Sequence, residues 1–127
     1  MTDTLADTIR ISVETRYLTE QSDPRARRYA FAYTISIQNT GIVPVQLLDR
    51  HWLITDGNAK VQEVRGEGVI GEQPVILPGA THTYTSGCLL ETPVGSMRGS
   101  YGMITEDGVS FQAPIAIFRL ASPNALN

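Results

Sequence analysis

The chain has 127 residues, of which 42% are hydrophobic and 18% charged, and its formal net charge is -3. This length and composition indicate one globular domain able to bury a core of its own, and they exclude an intrinsically disordered chain. The net negative charge argues against nucleic acid as a partner, because nucleic-acid-binding proteins usually carry a basic excess.

Cysteine content and the first residues bear on the compartment. Cys88 is the single cysteine, so it cannot form an intramolecular disulfide. The opening residues MTDTLAD contain two acids and no apolar run, unlike a signal peptide. No window approaches the roughly 20 apolar residues that a membrane span needs. We therefore expect a cytoplasmic protein with no membrane partner.

Alternation of apolar and polar residues marks the first two predicted strands. Residues 9–19 place isoleucine and valine on one face and polar residues on the other. Residues 28–38 show the clearest alternation in the chain, with aromatic and isoleucine side chains at every second position. Both patterns are typical of strands with one buried face.

The next predicted strand, residues 45–55, is apolar on both alternating faces. Such a strand is either covered on both sides or interrupted by a bulge. Asp56-Gly57-Asn58 is a strong hairpin-turn signal, and it leads to a short predicted strand over residues 60–65.

Residues 65–74, RGEGVIGEQP, contain a G-x-G-x-x-G pattern. In dinucleotide-binding proteins this pattern opens a helix whose N–H groups bind a pyrophosphate. Two prolines and no helical period follow it here, so we predict a glycine-rich connection within a β protein. One interpretation is structural, since glycine permits positive φ and close backbone approach. The alternative is a phosphate site built from Arg65, Gly66, Gly68 and Gly71.

Three further strands are predicted over residues 81–86, 97–105 and 109–119, and the last carries Phe111, Ile115 and Ile117. Seven or eight short strands separated by turns indicate an all-β, antiparallel sandwich of the immunoglobulin or fibronectin type III kind. A small barrel is the competing architecture. The aromatic residues are assigned to the core, namely Tyr29, Phe31, Tyr33, Trp52 and Phe111.

Two sets of polar residues are candidate sites. Asp49 and His51 are two apart on one strand face and, with Glu63 across the hairpin, could hold zinc, cobalt or nickel. The alternative is that they bond to each other or to neighbouring backbone. The one local basic cluster consists of Arg25, Arg27 and Arg28. One interpretation is solvated charge flanking a strand, and the alternative is a contact surface for a partner. We find no nucleophile or acid–base pair that predicts catalysis.

Several motifs taken together resemble the bacterial ApaG proteins. These motifs are DRHW at 49–52, GEGVIGEQP at 66–74, LPG at 77–79, YTSG at 84–87 and GSMRGSY at 95–101. The resemblance covers nearly the whole chain and predicts a single domain over residues 8–120, with flexible ends at 1–7 and 121–127. It implies a fibronectin type III-like sandwich that acts as a partner-binding module. It also implies a link to diadenosine tetraphosphate metabolism and to cobalt and magnesium tolerance, with the family's glycine motif falling on Gly66, Gly68 and Gly71.

We therefore expect a non-enzymatic protein-binding module that needs no cofactor. Its partner is a protein that the sequence does not identify, and an uncovered strand edge would also allow a homodimer. The glycine loop and the segment from Arg25 to Arg28 are the predicted contact surfaces. The second hypothesis is a phosphate- or nucleotide-polyphosphate-binding protein with weak, metal-dependent phosphohydrolase activity. Asp49 and His51 would then hold the divalent metal.

Overall fold

The computed structural model describes residues 2–124, with side chains from residue 5 onward. One helix precedes eight strands, and two short 3-10 turns, Thr19–Gln21 and Pro24–Ala26, lie in the first strand connection. The helix and strands are α1 (Thr2–Asp7), β1 (Ile9–Tyr17), β2 (Tyr29–Asn39), β3 (Val45–Asp56), β4 (Val61–Glu67), β5 (Val75–Ile76), β6 (Thr81–Leu90), β7 (Val94–Thr105) and β8 (Ser110–Ala121). No helix in the described part of the chain has the length and apolar character of a membrane span.

The strands form two antiparallel sheets that pack face to face. One sheet has the order β1-β2-β6, and the other has the order β4-β3-β7-β8, with β5 paired to the start of β3 on the side that β4 occupies farther along. This arrangement confirms the predicted sandwich and excludes the barrel. Trp52 lies at the centre of the core, stacked on Tyr33 at 5.6 Å and in edge-to-face contact with Tyr101 and Phe118. Phe31, Tyr33 and Phe111 are buried as predicted, whereas Tyr29 is half-buried.

A bulge in β3 explains why this strand is apolar on both alternating faces. Leu47 pairs with Met103 of β7, but Asp49 pairs with the next residue, Gly102, so Leu48 is an extra residue. The extra residue reverses the alternation. The inner face of β3 therefore carries Leu47, Arg50, Trp52 and Ile54, and its outer face carries Asp49, His51 and Leu53.

A second irregularity lies in the pairing of β7 with the last strand, β8. Gly99 of β7 pairs with Ile115, but Met97 pairs with Phe118, so β8 holds an additional residue between these pairs. Phe118 consequently packs against the core, and Ile117 is exposed. The sequence placed Ile117 on this strand with Phe111 and Ile115, and the bulge explains why Ile117 does not share their burial.

The glycine-rich segment is a tight hairpin and contains no helix. Val69 and Glu72 exchange backbone hydrogen bonds of 2.8 and 3.0 Å across Ile70 and Gly71. Both central residues have positive φ, 48° and 75°, as a type I′ turn requires. Val69 is fully buried and anchors the hairpin in the core. The prediction that this segment bends a β chain is confirmed.

Helix α1 covers one side of the sandwich. Leu5 and Ala6 pack against the core, and the helix lies against β8 and β1. Thr8 closes the helix, since its hydroxyl donates a 2.6 Å hydrogen bond to the Leu5 carbonyl. Residues 1–7 were predicted to be a flexible end, and the helix was not anticipated because six residues are too few to show a helical period. Their flexibility stays a prediction, and residues 1 and 125–127 of the predicted ends lie outside the described residues.

Candidate functional site

The β3 residues 49–52 supply polar groups to both faces of the larger sheet. On the outer face, His51 and Arg65 converge on the same carboxylate oxygen of Glu63, with distances of 2.7 Å from His51 Nε2 and 3.1 Å from Arg65 Nη2. The hydrogen bond from His51, followed by the charge of Arg65, lowers the pKa of Glu63 below its ordinary value. This cluster is an exposed ion-pair network on the sheet surface.

The predicted metal site is not assembled on this face. No three His, Cys, Asp or Glu side chains within residues 5–124 are grouped so that they could hold a metal ion. The Asp49 carboxylate lies directly over Gly102 of β7, whereas His51 is turned toward Glu63 on β4. Glu63 lies opposite Leu53 in the β3–β4 pairing. Along the outer face of β3, Leu53 is one position past His51 and two positions past Asp49. Asp49, His51 and Glu63 therefore do not converge.

The four residues of the predicted phosphate loop do not converge either. Arg65 belongs to the outer face, where it contacts Glu63. The Gly68 N–H donates to the Leu48 carbonyl at 2.8 Å and so anchors the hairpin on the β3 bulge. Gly71 lies at the tip of the turn, where an added Cβ would have no heavy atom within 4 Å. Arg65, Gly66, Gly68 and Gly71 therefore do not form one nest of N–H donors.

Gly66 makes room for an arginine. A Cβ atom at position 66 would lie 2.7 Å from Nη1 and 2.9 Å from Cζ of Arg50, so the guanidinium lies flat against the Gly66 backbone. Arg50 Nη1 donates to the carbonyl oxygens of Glu67 and Gly68, at 3.1 and 3.0 Å. Because Arg50 lies on the same inner face of β3 as Trp52, its charged guanidinium lies between the two sheets, near the edge of the sandwich.

A cleft of about 250 Å³ opens beside this guanidinium, where the hairpin closed by Val69 and Glu72 faces β6. We call it the Arg50 cleft, and its lining residues are Tyr33, Arg50, Trp52, Glu67, Val69, Ile70, Gly71, Tyr84 and Ser86. Behind it, the buried hydroxyls of Tyr84 and Tyr101 share a hydrogen bond. Burial raises the pKa of Tyr84 to about 12, so its hydroxyl stays protonated at neutral pH. The cleft therefore combines the Arg50 cation with neutral hydroxyl groups, and it has one acidic residue, Glu67, in its lining.

Arg50 was not among the predicted site residues. Its position two residues before Trp52 gave the signal, because residues two apart on a strand share a face. A charged residue on the same face as a core tryptophan is unusual enough to mark a site. This signal was hard to recognise because the inward-facing residues of β3 are odd-numbered up to Leu47 and even-numbered from Arg50 onward.

Two further side chains with reactive groups, His82 and Cys88, lie on β6. His82 is half-buried beside Tyr84, and its Nε2 lies 4.0 Å from the Glu72 carboxylate. Burial raises the pKa of the Cys88 thiol to about 11, so this half-buried cysteine is a poor nucleophile at neutral pH.

The basic cluster and the exposed apolar residues lie at opposite ends of β2. Arg25, Arg27 and Arg28 are exposed in the connection before β2, and none is within 4 Å of a carboxylate among the described residues. At the other end, the Asn39 side chain donates to the carbonyls of Val43 and Ile76, which places the β2–β3 loop beside β5. We call the exposed apolar residues there the apolar end, which comprises Ile42, Val43, Val75 and Leu77.

Comparison with known proteins gives one consistent family. The sequence model described as the ApaG domain matches residues 19–105. The chain is similar to Protein ApaG of Pseudomonas aeruginosa, with 62% identity over 119 residues that cover 94% of both chains. Protein ApaG of Azotobacter vinelandii is 61% identical over the same share of each chain.

Solved structures agree with this likeness. A Bordetella pertussis crystal structure that carries the name ApaA superimposes with a TM-score of 0.89 and 55% identity, covering 91% of this chain and 94% of that chain. An X-ray structure of a structural-genomics target gives a TM-score of 0.90 and 49% identity, covering 94% and 91%. The sandwich described above is therefore the architecture of its experimentally determined relatives.

Proposed function

The chain belongs to the ApaG domain family, and from this premise we propose that it is a non-enzymatic module that binds a protein partner. The observation that carries the proposal is the apolar end. Ile42 is 92% exposed, and Val75 and Leu77 are each 58% exposed. Large apolar side chains grouped on the surface of a domain are typical of interaction sites.

The strand beside these residues suggests how a partner would bind. Within residues 2–124, β5 pairs with β3 alone, and its other edge has no neighbouring strand there. Ile76 is buried, while Val75 and Leu77 on either side of it point outward. An extended segment of a partner could add to this edge through main-chain hydrogen bonds and place apolar side chains against Val75 and Leu77.

The acidic residues near the apolar end indicate which charged side chains a partner would carry. The exposed turn Glu106–Asp107 follows β7 at the same end of the sheet, two strands from β5. Glu72 is exposed on the hairpin that precedes β5. These carboxylates would attract basic residues and repel acidic ones. We propose that the partner supplies an extended apolar segment flanked by lysine or arginine.

A displayed library of short peptides, selected on the immobilised protein, tests this proposal. We expect enrichment of peptides with alternating apolar residues and basic flanks. The Val75→Asp variant should weaken their binding at least tenfold by fluorescence anisotropy, because it places a charge in the contact. Val61→Asp is the matched control, since Val61 is 56% exposed on β4 and lies away from β5.

The same peptides also test the basic cluster that the sequence singled out. A variant with Arg25, Arg27 and Arg28 all changed to glutamine removes that contact surface and leaves β5 intact. Binding that survives in this variant and fails in Val75→Asp supports the apolar end. Binding that fails only in the arginine variant, or a selection that enriches no peptide, overturns the proposal.

A further inference from the structure

We propose that the Arg50 cleft binds a small oxyanion of the size and charge of a phosphate group. This site is separate from the apolar end and does not depend on the protein-binding function proposed above. It also differs from the loop predicted from the glycine pattern. Its cationic donor is a side chain of β3, whereas the predicted loop relied on Arg65 and on the backbone of Gly66, Gly68 and Gly71.

The first argument is the charge of Arg50. The side chain is only half-buried, and it points between the sheets. No carboxylate oxygen of the described residues lies within 4 Å of its guanidinium. Both hydrogen bonds that it makes to described residues come from Nη1, which leaves Nη2 and Nε as donors. A guanidinium in such a position is well matched to an oxyanion, which accepts two parallel N–H bonds.

The second argument is the composition of the cleft around that cation. Tyr33 and Ser86 line it and offer neutral hydroxyl donors, whereas the hydroxyl of Tyr84, which also lines it, is shared with Tyr101 behind the cleft. Desolvation by burial raises the pKa of Tyr33 as well as that of Tyr84, so neither ring competes as an anion. Its volume of about 250 Å³ suits one small anion with bound water.

The third argument is strain at the rim. Ile70 has φ 48°, a left-handed conformation that is a genuine outlier for a β-branched residue. Burial of the side chain does not explain this conformation, because Ile70 is 62% exposed. Strained residues of this kind cluster at functional sites. Here the strained turn holds Ile70 and Gly71 at the mouth of the cleft.

The acidic groups nearby limit the size of the anion. Glu67 lines the rim and pairs in register with Asp49, so its side chain shares the outer face of the sheet. Glu72 lies at the base of the hairpin and is 4.0 Å from His82. The carboxylates of Glu67, at the rim, and of Glu72, which is not a lining residue, would repel an anion that extends beyond the cleft. We therefore infer that a single phosphate group is accepted and that a long polyphosphate is disfavoured.

Titration of the protein with inorganic phosphate, followed by amide chemical shifts in NMR, tests this inference. We expect saturable shifts at Ile70, Gly71 and Ser86, with a dissociation constant on the order of 1 mM or tighter. Arg50→Gln should weaken binding at least tenfold. Arg65→Gln is the matched control, because it removes an equal charge next to Gly66 but on the outer face. A parallel titration with phenyl phosphate distinguishes a free ion from a phosphate group carried by an organic molecule.

Three results would overturn the inference. Shifts that fail to saturate would indicate only general ionic effects. Equal weakening by Arg50→Gln and Arg65→Gln would show that net charge and not the cleft is responsible. Binding that survives in a folded Arg50→Gln protein would place the anion elsewhere. The amide spectrum of the variant reports whether it is folded, and phosphate should raise the thermal midpoint of the wild type but not that of Arg50→Gln.

Discussion

At the scale of single residues, the three glycines of the G-x-G-x-x-G pattern have three different structural causes. Gly66 admits the Arg50 guanidinium, and Gly68 lies against the Glu72 carbonyl, where a side chain would collide. Gly71 supplies positive φ at the tip of a turn. A shared spacing with dinucleotide-binding proteins therefore does not imply a shared mechanism, because the helix that such proteins need is replaced by a hairpin.

The His51–Glu63 contact predicts a pH response on the outer face. The pKa of Glu63 is lowered in the folded protein, first by its hydrogen bond with His51. Since the folded pKa lies below the unfolded one, the contribution of Glu63 to stability is present above the unfolded pKa and is lost as pH falls through the folded pKa. Carboxyl NMR titration should show the pKa of Glu63 rising in His51→Ala. His82→Ala should leave it unchanged, and an unchanged value in both variants would contradict the contact.

At the scale of elements, the strands with regular alternation were predictable and the irregular elements were not. The predicted strand over 28–38 matches β2, and that over 60–65 falls largely within β4. The two-residue strand β5 is too short to show any period. In β3 the sequence left a bulge as one of two alternatives, and only the pairing with β7 places it at Leu48. Arg50 was missed for this reason, since its face depends on that bulge.

The positive φ of Ile70, in the hairpin closed by Val69 and Glu72, leads us to predict a stabilising substitution. Ile70→Asn should raise the free energy of unfolding by about 1 kcal/mol, because asparagine tolerates the left-handed conformation at this turn position and Ile70 buries little surface. Chemical denaturation measures the change. Val61→Asn is the control, since Val61 is similarly exposed but lies in a strand without positive φ, and it should be destabilising. Equal losses in the two variants would argue against strain at Ile70.

At the scale of the whole molecule, an aromatic cluster joins the two sheets at the centre of the core. Trp52 and Tyr101 come from the larger sheet, Tyr33 comes from the smaller sheet, and Phe118 is brought to the cluster by the β8 bulge. One long side of the sandwich is covered by helix α1. The Arg50 cleft occupies the other side, where β6 and the hairpin face each other across the gap between the sheets.

Truncation of the central tryptophan measures how strongly this cluster joins the sheets. Trp52→Ala should lower the free energy of unfolding by about 3–5 kcal/mol, because it removes a fully buried side chain and leaves a cavity. Urea denaturation provides the measurement. The exposed control Val61→Ala should change stability by less than about 1 kcal/mol. A loss below about 1 kcal/mol for Trp52→Ala would be inconsistent with its central position.

The extra residue at Leu48 has a consequence for comparing relatives of different length. Removing it would restore regular alternation, in which the residue after inward-facing Leu47 faces outward, so Asp49 and His51 would stay on the outer face and Arg50 and Trp52 on the inner face. A homologue one residue shorter between Leu47 and Asp49 would therefore keep the chemistry of both surfaces. A one-residue gap within DRHW, by contrast, would exchange the faces of the residues that follow it.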